Sequence, residues 1–141
     1  MKTQMAMMTA IVLMTLQVAM ATEPTKKFVT QDQKIAFAKK NLLAALSSGN
    51  MGVIESSMRI SAQLKIRYPE ENVSALINGI NTVWQNHPAG KTRYKAFIAK
   101  SICENPEWYC TNTTLTNADD DTFFIIASKQ MQEQLLSLNA N

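Results

Sequence analysis

Apolar residues recur at helical spacing along this chain, and no segment alternates apolar and polar over five or more residues as a strand would. Thr30-Gln31-Asp32-Gln33 has the form of a capping box, Thr followed three residues later by Gln. Beyond it Ile35, Ala38, Leu42, Ala45 and Leu46 share one helical face. Ser47-Ser48-Gly49-Asn50 ends this helix, with Gly49 suited to the left-handed position past a helix end and Asn50 placed to cap the next one. Ile54, Ser57, Met58, Ser61 and Leu64 define the second inner face, the two serines small enough to admit a neighbouring helix, and Tyr68-Pro69 stops it. The third pattern is the most regular: Val73, Leu76, Ile77, Ile80, Val83 and Trp84, broken by His87-Pro88-Ala89-Gly90. A fourth helix points Tyr94, Phe97, Ile98 and Ser101 inward and Lys91, Lys95 and Lys100 to water, and ends at Asn105-Pro106. Thr111 to Ala118 reads as a polar loop. Asp119-Asp120-Asp121-Thr122 suits a helix N-terminus, where carboxylates meet the positive end of the dipole. The last helix then buries Phe124, Ala127, Met131, Leu135 and Leu138. The pattern predicts an all-α protein.

The N-terminus has a different character. Lys2 is the only charge before Glu23, an apolar stretch runs from Met5 to Val18, and Ala19-Met20-Ala21 has the small-x-small form that signal peptidase reads. A membrane span needs about 20 apolar residues, and this core is shorter. Residues 1–21 are therefore expected to be a signal peptide cleaved after Ala21, with Ala19 and Ala21 as its recognition residues. With no Cys at the site for a lipid, the product is periplasmic or secreted, with no stable membrane insertion once the leader is gone. Residues 22–29 are a flexible lead-in, and 30–141 make one domain.

Short connections make two antiparallel helix pairs, 30–68 and 70–104, followed by a cysteine loop over 103–118 and a capping helix over 119–138. The pairs align with each other: Leu42-Leu43-x-x-Leu46 with Leu76-Ile77-x-x-Ile80, and Ile54-x-x-Ser57-Met58 with Arg93-x-x-Ala96-Phe97. The stretch from Asn41-Leu42-Leu43-Ala44-Ala45-Leu46 through Gly52-Val53-Ile54-Glu55-Ser56 to Arg93-Tyr94-Lys95-Ala96 resembles small exported HEAT-like helical-repeat proteins of bacteria, whose activity is unassigned. The resemblance covers residues 35–103. Arg93 and Ala96 match the second helix of such repeats, whereas Ile54 stands where Arg is expected. It implies stacked helix pairs and a binding surface, not a reaction. Two repeats form a single seam, and solenoids usually need three, so the apolar Phe123-Phe124-Ile125-Ile126 run is expected to close the open end.

Candidate chemistry is sparse. Cys103 and Cys110 are the only cysteines, and an even count in an exported chain favours a disulfide, with Asn105-Pro106 making the bend. His87 is the lone histidine, so neither a zinc site nor a nucleophile-base pair of the usual kind can be assembled. The Asp119–Asp121 run lacks the ligand order of a calcium loop. No catalytic residue, metal or cofactor is expected. Asn72-Val73-Ser74 and Asn112-Thr113-Thr114 match the glycosylation triplet, which matters only in a eukaryotic secretory pathway. A formal net charge of +3 is too small for nucleic-acid binding. Lys91, Arg93, Lys95 and Lys100 make one basic stretch and Arg59, Lys65 and Arg67 another, on helices that a HEAT-like stack would present together to an acidic partner. Trp84 falls on the apolar stripe and is expected in the core, whereas Trp108 and Tyr109 are expected at the surface. Two functions fit. One is a non-enzymatic, exported protein-binding or structural envelope component that uses Arg93 and Lys95. The other is a small periplasmic inhibitor or immunity-type protein that inserts its Trp108-Tyr109 loop into an enzyme.

Overall fold

In the computed structural model, which describes residues 30–140, the regular elements are α1 (Gln31–Leu46), α2 (Met51–Arg67), α3 (Ser74–Asn86), α4 (Gly90–Glu104), α5 (Thr113–Asn117) and α6 (Asp120–Asn139). A 3₁₀ turn, Pro106–Trp108, separates α4 from α5, and no strand occurs among the described residues. The protein is all-α. The leader, its Ala19 and Ala21 cleavage site and the 22–29 lead-in lie outside the described residues.

The local chemistry read from the sequence sets most helix ends. Thr30 Oγ1 accepts from the Gln33 amide at 3.3 Å, Asn50 Oδ1 from the Val53 amide at 3.2 Å and Asp119 Oδ1 from the Thr122 amide at 3.0 Å. Each satisfies a donor that the first turn leaves unpaired. Gly49 behaves otherwise, with no positive φ. The end of α1 tightens instead, Ser47 and Ser48 amides donating to the Ala44 and Ala45 carbonyls, which removes the need for a left-handed residue. The stretch expected to be a polar loop contains α5, nucleated by Asn112 accepting from the Thr114 amide and anchored by fully buried Leu115.

Helix α1 packs on α2, α3 on α4, and α2 lies against α4, while α1 also touches α3. Both central helices bury small residues, Ser57, Ser61 and Ala62 on α2 and Ala96 and Ala99 on α4, which lets helices run close together. The two serine hydroxyls donate to carbonyls of their own helix, Ile54 and Ser57, so they enter the core satisfied. Gly79 does the same for α3: a Cβ there would lie 2.9 Å from Leu46 Cδ1 and 3.3 Å from Leu43 Cδ1. Helix α6 packs across α2 and α4 through Phe123, Phe124, Ala127 and Met131, all buried. The first half of α6 thus covers the body through Phe123 and Phe124.

Its second half does not. Leu135 and Leu138, expected in the core, are exposed, as are Ile125 and Leu136. Helix α4 is also rotated from expectation. Ile98 is buried and Ser101 half-buried, but Thr92, Lys95, Ala96, Ala99, Ile102 and Cys103 complete the inner face, while Tyr94 and Phe97 are exposed. Small residues and one paired lysine face inward there because α2 and α6 both press on that side.

Candidate binding surface

Three of the basic residues on α2 and α4, Arg59, Lys95 and Lys100, do meet acidic partners, but within this chain. Lys95 Nζ donates to Glu55 Oε2 at 2.6 Å and lies 3.4 Å from Asp121 Oδ1. Its side chain is 6% exposed and its ammonium stands 5.3 Å from the centroid of the Phe124 ring. Thr92 Oγ1 donates to the other Glu55 oxygen at 2.9 Å. One turn along α2, Arg59 pairs through Nε with Asp120 Oδ1, Ser56 donates to Asp120 Oδ2 at 2.6 Å, and Arg59 Nη1 donates to Gln63 Oε1. Gln63 in turn donates to the Leu115 and Ala118 carbonyls. Lys65 is held by the Pro69 and Glu71 carbonyls. Helix α6 therefore covers Arg59 and Lys95 on that face, and its N-terminal aspartates pair with them, while Lys91 and Arg93 stay exposed.

The electrostatics agree with this pairing. Burial alone would lower the Lys95 pKa, but hydrogen bonds and charges from Glu55 and Asp121 outweigh it and hold the group above its ordinary 10.5. Asp120 likewise sits below its ordinary 3.8, the burial penalty being exceeded by Ser56 and Arg59. Asp119 is lowered by its hydrogen bonds to Thr122, the signature of an N-cap carboxylate. Lys95 is thus a buried structural cation, a correction to its expected place on the surface.

The cysteine segment also differs from expectation. The 3₁₀ turn carries Tyr109 inward, fully buried, and turns Cys110 outward. The two cysteines are not bonded. Cys103 is buried on the inner face of α4, and burial pushes its thiol up to about 12. Cys110 is exposed and its Sγ lies 3.4 Å from the Glu107 carbonyl oxygen. A buried thiol held protonated is a poor nucleophile. Iodoacetamide at neutral pH is therefore expected to label Cys110 in the native protein and Cys103 only after denaturation. Mass spectrometry showing two blocked cysteines without reduction would contradict this. Trp108 is half-buried, with its carbonyl accepting from Gln130, and Asn112 donates to Gln130 at 2.8 Å. Tyr109 in particular lies in the core and not at the surface, a correction to its expected exposure. The Ser101 hydroxyl tempers the burial-driven rise in its pKa, yet the Tyr109 hydroxyl makes no well-formed hydrogen bond among the described residues.

Among the surface grooves of the described residues, one of about 640 Å³ lies between α4 and α6. Tyr94 forms one wall, fixed by a 2.6 Å hydrogen bond between its hydroxyl and Ser128 Oγ. Ile125, 70% exposed, forms part of the other, with Phe124 and Lys95 at the base and Lys91 and Lys129 at the rim. Neither rim lysine makes an ion pair with a described residue. Beyond Tyr94 the aromatic row continues. Phe97 packs against Trp84 with centroids 5.8 Å apart, and Lys100 Nζ lies 5.3 Å from the Trp84 ring centroid. Trp84, expected in the core, is exposed, because α3 reaches the interior through Leu76, Ile80 and Val83 one step round its face. Arg93 is exposed and donates back to the His87 and Pro88 carbonyls, bracing the turn that precedes its own helix. His87 accepts there from the Ala89 amide through Nδ1.

The sequence pattern hides this site because it turns Tyr94 inward and Lys95 outward on α4, the reverse of what the structure shows. The signal that could have found it is the spacing of Ile125, Ser128, Lys129 and Gln132, which share a second face of α6. Among the described residues no group of three or more His, Cys, Asp and Glu side chains is arranged so that it could hold a metal ion, and no helix is long and apolar enough to cross a membrane. Comparison with known protein families, curated proteins and solved structures finds nothing that matches this chain.

Proposed function

We propose that this chain is an exported, non-enzymatic helical-repeat protein of HEAT-like build, periplasmic or secreted, which binds a protein partner through the α4–α6 groove. The observation that carries the reading is the groove itself: exposed Tyr94 and Ile125 on two adjacent helices, beside lysines that make no ion pair with a described residue. Exposed aromatic and large apolar side chains in a concave setting are what protein contacts use as anchors. The polar residues nearest to it serve the fold, since Glu55, Thr92 and Lys95 satisfy one another. The packing of α1 on α2, α3 on α4 and α2 on α4 supports a stack of two pairs, and the leader supports export. An inhibitor acting through its cysteine loop is less well supported, because Tyr109 is withdrawn into the core.

The test is capture from envelope extract with immobilised protein. A discrete partner retained by the native chain and by Trp108→Ala, but lost with Ile125→Glu and Tyr94→Ala, is the expected result. Loss on Trp108→Ala with the groove variants unaffected would return the loop reading.

A further inference from the structure

The groove is one end of a longer stripe. Ile125, Ser128, Lys129 and Gln132 line it, and the next positions on the same face of α6 are Leu135 and Leu136, both exposed, Leu136 at 70%. From Ile125 to Leu136 the stripe runs about 16 Å at 1.5 Å per residue, three turns of helix with an apolar step at each end. A segment that lies along it needs apolar side chains spaced at i, i+3 or i+4, and i+7, the pattern of an amphipathic helix docked in a groove.

Charge selects among such helices. Lys91 on α4 and Lys129 on α6 flank the groove without an acidic partner among the described residues, while the carboxylate at its edge, Asp121, lies 3.4 Å from Lys95. An entering acidic flank would therefore gain two unpaired cations, and a basic flank would meet them as repulsion. The same point argues against a second copy of this chain. Two α6 stripes laid antiparallel about their common centre would bring the two Lys129 side chains within about one helical turn of each other.

We propose that the groove receives an acidic amphipathic helix of the partner protein. This rests on the reading of the groove as the docking surface, and adds the class of segment it takes. The experiment uses the purified protein and two synthetic helical peptides of about 18 residues, identical in their Leu and Ile stripe, one flanked by Glu and the other by Lys. Isothermal titration calorimetry is expected to show the Glu peptide binding at least about tenfold more tightly at low salt. A Lys91→Glu/Lys129→Glu double variant should invert that preference, and Ile125→Glu should weaken both peptides. Equal affinity for the two peptides would overturn the charge selection and leave the groove a docking site of another kind. No binding by either peptide, with envelope capture still dependent on Ile125, would also overturn this inference alone. Loss of both would overturn the reading beneath it. Self-association abolished by Ile125→Glu, seen by sedimentation, would replace the proposed occupant by a second copy.

Discussion

Tyr109→Ala is expected to lower the stability of the domain by about 3–5 kcal/mol, while Tyr109→Phe changes it by less than about 1 kcal/mol. The ring is fully buried, in a cluster that includes Leu115, Phe123 and Ile102, and removing it leaves a cavity there. The hydroxyl makes no well-formed hydrogen bond among the described residues, so its loss costs at most a weak contact with Ser101 and removes a group that is costly to bury. Against a typical stability of about 5–15 kcal/mol for a whole domain, the alanine variant would be marginal, with a urea midpoint far below that of the native chain. Equilibrium denaturation followed by circular dichroism measures both. An alanine variant within about 1 kcal/mol of the native protein would put the residue at the surface, where the loop reading needs it.

The second large effect is expected at the buried ion pair. Glu55→Ala leaves Lys95, 6% exposed, with only the more distant and mostly solvated Asp121; breaking a fully buried pair costs about 3–5 kcal/mol, and the loss here is smaller because Glu55 is only part-buried. Lys95→Ala leaves Glu55 bonded to Thr92 and should cost less, because the carboxylate keeps a donor. Replacing both, as Glu55→Leu with Lys95→Met, is expected to recover most of the loss, since the two desolvation penalties vanish together. A double-mutant cycle in urea supplies the coupling. The pair also sets an alkaline limit. The folded pKa of Lys95 lies above the ordinary 10.5, so its contribution is complete below that pH and fades as pH rises through the folded value. The Lys95→Met variant should lose less stability than the native chain over that range. An identical alkaline decline in both would contradict the assignment.

The helices themselves were legible because their signals are local. Thr30, Asn50 and Asp119 cap where their side chains can reach the third amide of the helix, and Tyr68-Pro69 and Asn105-Pro106 stop helices through backbone sterics. Which face of a helix is buried was legible only where one neighbour covers it. On α3 the stripe through Val73, Leu76, Ile80 and Val83 reads correctly, apart from Trp84 at its margin. Helix α4 lies between α2, α3 and α6, so its inner face is wide and lined by alanines, and Tyr94 and Phe97 fall outside it. Periodicity ranks large apolar residues inward and cannot see that a small residue is needed where two backbones approach.

The candidate site was hidden for the same reason. It depends on where α6 lies, and α6 is positioned by the burial of Phe123, Phe124, Ala127 and Met131 together with the long-range pairs of Arg59 with Asp120 and Lys95 with Asp121. Their charges were visible as a basic face and an acidic cluster, and each was read separately, one as a partner site and the other as a cap. The cysteine segment went astray because compartment favours a disulfide, whereas the local turn directs Tyr109 inward and Cys110 out. Leu115, the one large apolar residue in its Thr- and Asn-rich stretch, was the available hint that this segment packs.

The central claim is that contact with a partner falls on the α4–α6 groove and not on the cysteine loop. Site-specific photocrosslinking in the native host tests it most directly, with a photoreactive phenylalanine analogue placed at Ile125, at Trp108 and, as a control, at Lys40 on the exposed side of α1. The account predicts one discrete protein adduct from position 125 and none from 108 or 40. An adduct from 108 with none from 125 would contradict it.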